Sequence, residues 1–199
     1  MFDRETSRDD VAVQTIHVMQ GACVASDAPN IVYTTILGSC VCTCMCDPIA
    51  RVGGINHFLL PYAGVTKVEN LRYGYHAIEI LINSLLKLGA NRHRLEAKLF
   101  GGGSMTLQLG AVGPANAAFA QQYLRDESIN CVARSLGGTR ARKIRFHPTS
   151  GRVQQMFLTD IEQLPPESPR VRLQRGAGEL IYFDCDANSD PAAFGKEMR

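Results

Sequence analysis

The chain has 199 residues, 45% of them apolar and 20% charged, which is enough to bury a core and too apolar for the whole chain to stay disordered. Its 21 Lys and Arg stand against 19 Asp and Glu, and the net charge of +2 without a dense basic block argues against phosphate-driven nucleic-acid binding. The opening "MFDRETSRDD" is too polar for a secretion signal, and no apolar run reaches the roughly 18 residues of a membrane span. With an odd count of 7 cysteines, the expectation is a cytoplasmic protein with free thiols and no membrane insertion.

Residues 1–11 read as a solvated tail, and "VQTIHVM" after them as a strand. "ASDAPN" reads as a loop. "IVYTTILG" and "CVCTCMC" are two strand-like runs separated by little more than Gly38 and Ser39, and Asp47-Pro48 closes the second. "VGGINHFLLP" is another short strand. From Tyr73 to Leu88 apolar residues recur at three- and four-residue intervals and Gly89 stands at the cap position, which predicts an amphipathic helix. "LEAKLFGGGSM" reads as a strand entering a glycine turn, and "GPANAAFAQQYLRDES" as a second helix with Pro114 in its first turn. "INCVARSLGG" and "KIRFHPTSGRVQQMFL" supply further strands. After Leu164 the "PPESP" segment is a stiff break, and "GELIYF" is one more possible strand. The expected organisation is a tail at 1–11, a main domain at 12–164 and an appendage at 165–199.

Cys40, Cys42, Cys44 and Cys46 occupy every second position. On a strand they share one face, with neighbours roughly 6.5 to 7 Å apart. Zinc holds its sulfurs at about 2.3 Å, and the Cβ atoms of a disulfide lie about 3.8 Å apart, so one straight strand makes neither a metal site nor a disulfide ladder. Cys42, Cys44 and Cys46 are therefore read as small buried apolar residues. Cys40 differs, because it begins the strand beside Gly38 and Ser39, where the side chain can reach a cleft and backbone amides can face outward. That position suits a nucleophile, which needs a base or a positive dipole beside it. His57 in "GGINHFLLP" is the candidate base, since neighbouring strands joined through the Asp47-Pro48 turn can bring the two together. His17, His76, His93 and His147 are read as structural or solvated. A third group must hold the imidazole tautomer, and Thr34 and Thr35 both qualify.

"FGGGS" and "LGG" read as tight turns first and as substrate-approach loops second; the lysine of a phosphate loop is missing. Arg140, Arg142, Lys143 and Arg145 form a short basic stretch, solvated in part, or else facing an acidic partner helix.

"TTILGSCVCTCMCDP", "GGINHFLLP", "AKLFGGGSM", "GPAN" and "LGG" followed by "IRFHPTSG" stand in the order and spacing of the CheD family of chemoreceptor glutamine deamidases, which this chain resembles over about residues 15–160. The resemblance implies an α+β fold, a layered sandwich of mixed β-sheets flanked by helices, similar to the cytotoxic necrotizing factor-like cysteine hydrolases. It implies conversion of receptor glutamines to glutamates with release of ammonia, with no metal and no cofactor. By the same resemblance the nucleophile falls on Cys40, the base on His57 and the third member, six positions before the cysteine, on Thr34. Backbone amides near Ser39 and Cys40 are the expected oxyanion donors. The implied partners are the cytoplasmic domains of chemotaxis receptors and a CheC-like phosphatase, and a non-catalytic adaptor is the alternative reading. Cys42, Cys46 and Ala141 depart from the family's usual residues, and the extra thiols offer Cys40 a partner on oxidation.

Overall fold

The computed structural model of the chain describes residues 12–60, 67–105, 111–158 and 180–183. The tail expected at 1–11, the "PPESP" break and most of the segment 165–199 lie outside the described residues. Among the described residues ten strands form two sheets. The first holds β1 (Gln14–His17), β3 (Ile31–Leu37), β8 (Arg142–Phe146), β9 (Val153–Phe157) and β10 (Leu180–Phe183), in that order. The second is ordered β2 (Cys23–Ser26), β5 (Val52–Phe58), β4 (Val41–Asp47), β6 (Glu96–Gly101) and β7 (Asn130–Leu136). Both sheets are mixed: β1 runs parallel to β3 and β6 parallel to β7, while the remaining neighbours are antiparallel. Helices α1 (Lys67–Lys87) and α2 (Val112–Asp126) pack on the second sheet. This is the layered α+β arrangement expected from the sequence.

The two helices follow their apolar stripes. Ile78, Leu81, Ile82 and Leu85 of α1 are at most 1% exposed and meet Val41, Met45, Val52 and Phe58 of the sheet, each burial contributing about 1.5–3 kcal/mol. The helix begins six residues before the periodic stretch, because Lys67–Arg72 is mostly polar and carries no apolar period to reveal it. It stops where anticipated: Gly89 takes φ +93°, and the amides of Gly89 and Ala90 bond back to the carbonyls of Leu86 and Leu85. Pro114 lies in the first turn of α2, where its missing N–H costs nothing.

The cysteine run forms the central strand of the second sheet, so both of its faces are covered. Val41 and Met45 point to the helices; Cys42, Cys44 and Cys46 point to the first sheet, where they pack with Tyr33, Leu37, Ile55, Phe100, Ile144 and Phe146. The three thiols are 0%, 1% and 3% exposed, which bears out their reading as core. One element differs from expectation. β2 occupies part of the segment read as a loop, because its four residues are too few to show an alternation. The possible strand read in "GELIYF" is present at Leu180–Phe183 as β10, pairing antiparallel with β9 and adding an edge to the first sheet.

Asp47 ends β4 and ties three segments together. Its Oδ1 accepts the amides of Ile49 and Ala50, and its Oδ2 accepts the amide of Asn91 and the Arg94 guanidinium at 2.8 Å. The turn into β5, and hence the path to His57, is fixed by this one buried carboxylate.

Candidate active site

Cys42 is the cross-strand partner of His57 in the β4–β5 ladder, and Cys40 precedes it by two positions while packing against the same inter-sheet core. Thiol and imidazole are thus delivered to the same face of the second sheet, the face that looks toward the first. Cys40 is only partly buried; its Sγ donates to the side-chain Oε1 of Gln20 at 3.2 Å.

The hydrogen bonds around His57 determine its tautomer. Thr35 Oγ1 lies 2.8 Å from the Val18 carbonyl oxygen and 2.8 Å from His57 Nδ1. A hydroxyl has one proton and Val18 can only accept, so the Thr35 proton goes to Val18 and its lone pair faces the ring. Nδ1 must therefore carry the proton, which it also directs at the Val18 carbonyl at a longer 3.4 Å. Nε2 is left as the unprotonated nitrogen; it is buried and has no hydrogen-bond partner among the described residues. Burial lowers the His57 pKa below its ordinary 6.5, against a smaller upward pull from the Val18 carbonyl. Burial raises the Cys40 thiol above 9.0, against a smaller opposing backbone hydrogen bond. Both shifts favour the neutral forms, thiol and imidazole.

Thr34 is placed elsewhere. Its Oγ1 donates to the Ile144 carbonyl across the β3–β8 ladder at 2.8 Å. Adjacent residues of a strand face opposite sides, so Thr34 and Thr35 cannot both look at the inter-sheet space. The expectation that put the third position on Thr34 is corrected in this structure: the hydroxyl in reach of the imidazole is that of Thr35.

The loop before Cys40 is clamped from two sides. Asn116, fully buried on α2, donates from Nδ2 to the Ser39 carbonyl at 3.0 Å and accepts the Leu60 amide at 2.9 Å. The Ser39 carbonyl and the Cys40 N–H belong to one planar trans peptide and point in opposite directions, so holding one orients the other. From the other side, the amides of Gly102 and Gly103 bond the carbonyls of Cys40 and Gly38 at 2.7 and 2.8 Å. Gly101 has φ +109°, and a Cβ on it would meet the Cys40 carbonyl oxygen at 2.1 Å. Only glycine allows this approach. The "FGGGS" turn is thus a brace for the nucleophile loop, linked onward by Ser104 N to Gly138 O and Gly137 N to Gly101 O. Asn116 carried no sequence signal beyond its place in "GPAN", because its partners lie 77 and 56 residues away.

Arg142 is a structural residue, in contrast to the solvated or partner-facing reading of the basic stretch. It is 1% exposed, donates to the carbonyls of Ser135 and Gly137, and stacks over Phe157, closing the loop between β7 and β8. Arg140 and Arg145 remain exposed. His76, His93 and His17 are also exposed, consistent with their solvated reading.

Fold and site together define an α+β protein with a partly exposed cysteine and a histidine on the same face of the second sheet, the histidine's Nε2 buried without a hydrogen-bond partner among the described residues. The family model described as CheD chemotactic sensory transduction matches residues 59–156. A protein of Cereibacter sphaeroides named as a probable chemoreceptor glutamine deamidase CheD is 96% identical over 199 residues, covering 100% of both chains. One of the same name from Caulobacter vibrioides is 49% identical over 177 residues, covering 84% of this chain and 92% of its own. The chain belongs to the CheD family. Among solved structures, the hypothetical protein YfiH of Bacillus licheniformis superposes with a TM-score of 0.38 at 17% identity, over 57% of this chain and 49% of that one. Among the described residues no helix is long and apolar enough to cross a membrane.

Proposed function

We propose that this chain is a protein-glutamine deamidase of chemotaxis, converting glutamine side chains in the cytoplasmic regions of chemoreceptors to glutamate with release of ammonia. Cys40 is the nucleophile, His57 the general base and acid, and Thr35 the residue that holds the imidazole. The observation that carries this reading is the unpartnered, unprotonated Nε2 of His57 on the face shared with a reachable thiol.

The substrate carboxamide enters beside Cys40, and His57 Nε2 takes the thiol proton as sulfur attacks the amide carbon. The resulting imidazolium is stabilised where it forms, because Nδ1–H already points at the Thr35 hydroxyl and the Val18 carbonyl. The oxyanion is received by the Cys40 N–H, held outward by the grip of Asn116 on the Ser39 carbonyl. His57 then protonates the departing nitrogen, and ammonia leaves. Water attacks the thioester with His57 as base, the C–S bond breaks, and the thiol regains its proton. Burial favours the neutral forms of both thiol and imidazole, so the ion pair is expected to form as substrate arrives.

The same reading places the protein in the cytoplasm, with residues 12–164 as the deamidase domain and a CheC-like phosphatase as a second partner. The deciding experiment incubates the protein with a receptor cytoplasmic fragment and follows ammonia and site-resolved amide-to-acid conversion by mass spectrometry. Wild type should convert selected glutamines, and Cys40→Ala should convert none. Absence of conversion across several receptors removes the deamidase reading; conversion that survives Cys40→Ala removes the nucleophile.

A further inference from the structure

The Cys40 thiol already faces a glutamine side chain of its own chain. Gln20 lies in the turn between β1 and β2, outside the core, with its carboxamide oxygen 3.2 Å from the Cys40 sulfur. That turn is pinned to both halves of the site. The Gly21 amide bonds the His57 carbonyl at 2.7 Å, the His57 amide bonds the Ala22 carbonyl at 3.0 Å, and the Val18 carbonyl receives the Thr35 hydroxyl at 2.8 Å. The chemical group presented is the one on which the proposed reaction acts, and it is held in a turn hydrogen-bonded to the strand that carries the base. A group so tethered reacts at an effective concentration far above that of a diffusing substrate; well-oriented intramolecular reactions reach effective molarities of about 10⁵ M and beyond.

We propose that Gln20 is a substrate of its own active site, converted to glutamate in cis. This rests on the deamidase reading above and extends it to a modification site on the enzyme itself. In the balanced step His57 Nε2 takes the Cys40 proton and sulfur bonds to Cδ of Gln20. The C–N bond breaks, and the proton from His57 leaves with ammonia. Water then supplies the hydroxyl of the new acid as the C–S bond breaks and the thiol is restored. One water is consumed and one ammonia released, with no oxidant or reductant. The product carboxylate stands against Cys40, where a negative charge disfavours the thiolate, so a converted chain turns over receptor glutamines more slowly than an unconverted one.

A specific control is needed, because Gln20 precedes Gly21 and an unhindered Gln-Gly pair can cyclise and deamidate without a catalyst. Wild type and Cys40→Ala are made in parallel as full chains, and each is incubated alone and with a receptor cytoplasmic fragment. Peptide mass spectrometry reads position 20 and the receptor glutamines in the same sample. The expected result is glutamate at position 20 in wild type and intact amide in Cys40→Ala, alongside receptor conversion by wild type only. Receptor conversion with Gln20 left as amide overturns this inference and leaves the deamidase reading standing. Equal conversion of Gln20 in both proteins assigns it to spontaneous chemistry and overturns the inference too. No conversion at either place overturns both.

Discussion

The Thr35 hydroxyl lies 2.8 Å from His57 Nδ1, while the neighbouring Thr34 hydroxyl is spent on the Ile144 carbonyl at the same distance. The two threonines should therefore respond differently to removal of the hydroxyl. Thr35→Val removes the acceptor that stabilises the imidazolium, a hydrogen bond to a charged group of about 1.5–3 kcal/mol, so kcat should fall roughly 10- to 100-fold with little change in KM. Thr34→Val should cost about 1 kcal/mol of stability and leave kcat near wild type. Steady-state ammonia release on a receptor fragment, with denaturant melts of both variants, checks this. The opposite pattern would return the third position to Thr34.

The resting protonation states set the pH profile. The His57 pKa is below 6.5 in the folded protein, so the acid limb of kcat/KM should lie below that value, where Nε2 is protonated while the thiol is still S–H. Above 9.0 the thiol itself ionises and the proton needed by the leaving nitrogen is gone, so the alkaline limb lies beyond it. The expected profile is a bell with a broad plateau between, its two limbs belonging to the coupled pair. Iodoacetamide labelling of Cys40, measured without substrate, should be slow at neutral pH and rise only along the alkaline limb. Fast labelling at pH 6 would mean a resting ion pair and contradict the assignment.

Asn116 is a positioning residue whose two contacts can be separated. Asn116→Ala loses both and should cost about 1–3 kcal/mol of stability along with activity. Asn116→Asp still accepts the Leu60 amide but sets a carboxylate oxygen against the Ser39 carbonyl, so it loses the grip on the nucleophile loop alone. The expected signature is a kcat loss in both variants that Asp does not rescue, with KM little affected. Recovery of kcat by Asp would place the importance of Asn116 at Leu60.

Asp47 makes folding stability sensitive to acid. Burial alone would raise its pKa, but the Arg94 guanidinium and the amides of Asn91, Ala50 and Ile49 outweigh that and hold it at about 2, below the ordinary 3.8. A lowered carboxylate pKa stabilises the folded state fully above the unfolded value, and that contribution is lost as pH falls from 3.8 through 2. Urea midpoints should therefore decline more steeply over this interval in wild type than in Asp47→Asn. The variant should also be less stable at neutral pH, by about 2 kcal/mol, having lost charge-assisted acceptors in a buried turn. Parallel acid curves for the two proteins would show that another carboxylate dominates.

Features carried by local pattern were legible in the chain itself. The alternation in "CVCTCMC" announces a strand with three thiols on one face, and the three- and four-residue spacing after Tyr73 announces α1 up to Gly89, because side-chain direction repeats with backbone period. That Cys40 and His57 come to the same face of neighbouring strands was also readable, since antiparallel neighbours joined by the short Asp47-Pro48 turn leave few registers. Tertiary structure alone decided which threonine meets the imidazole, because the residues left Thr34 and Thr35 both open and the resemblance that pointed to Thr34 says nothing of how the first sheet faces the second. It likewise decided that Asn116 reaches Ser39 and that Gln20 lies against the thiol. Those contacts join separate elements, the residues involved would suit ordinary surface or helix positions equally well, and only the packing of the layers selects them.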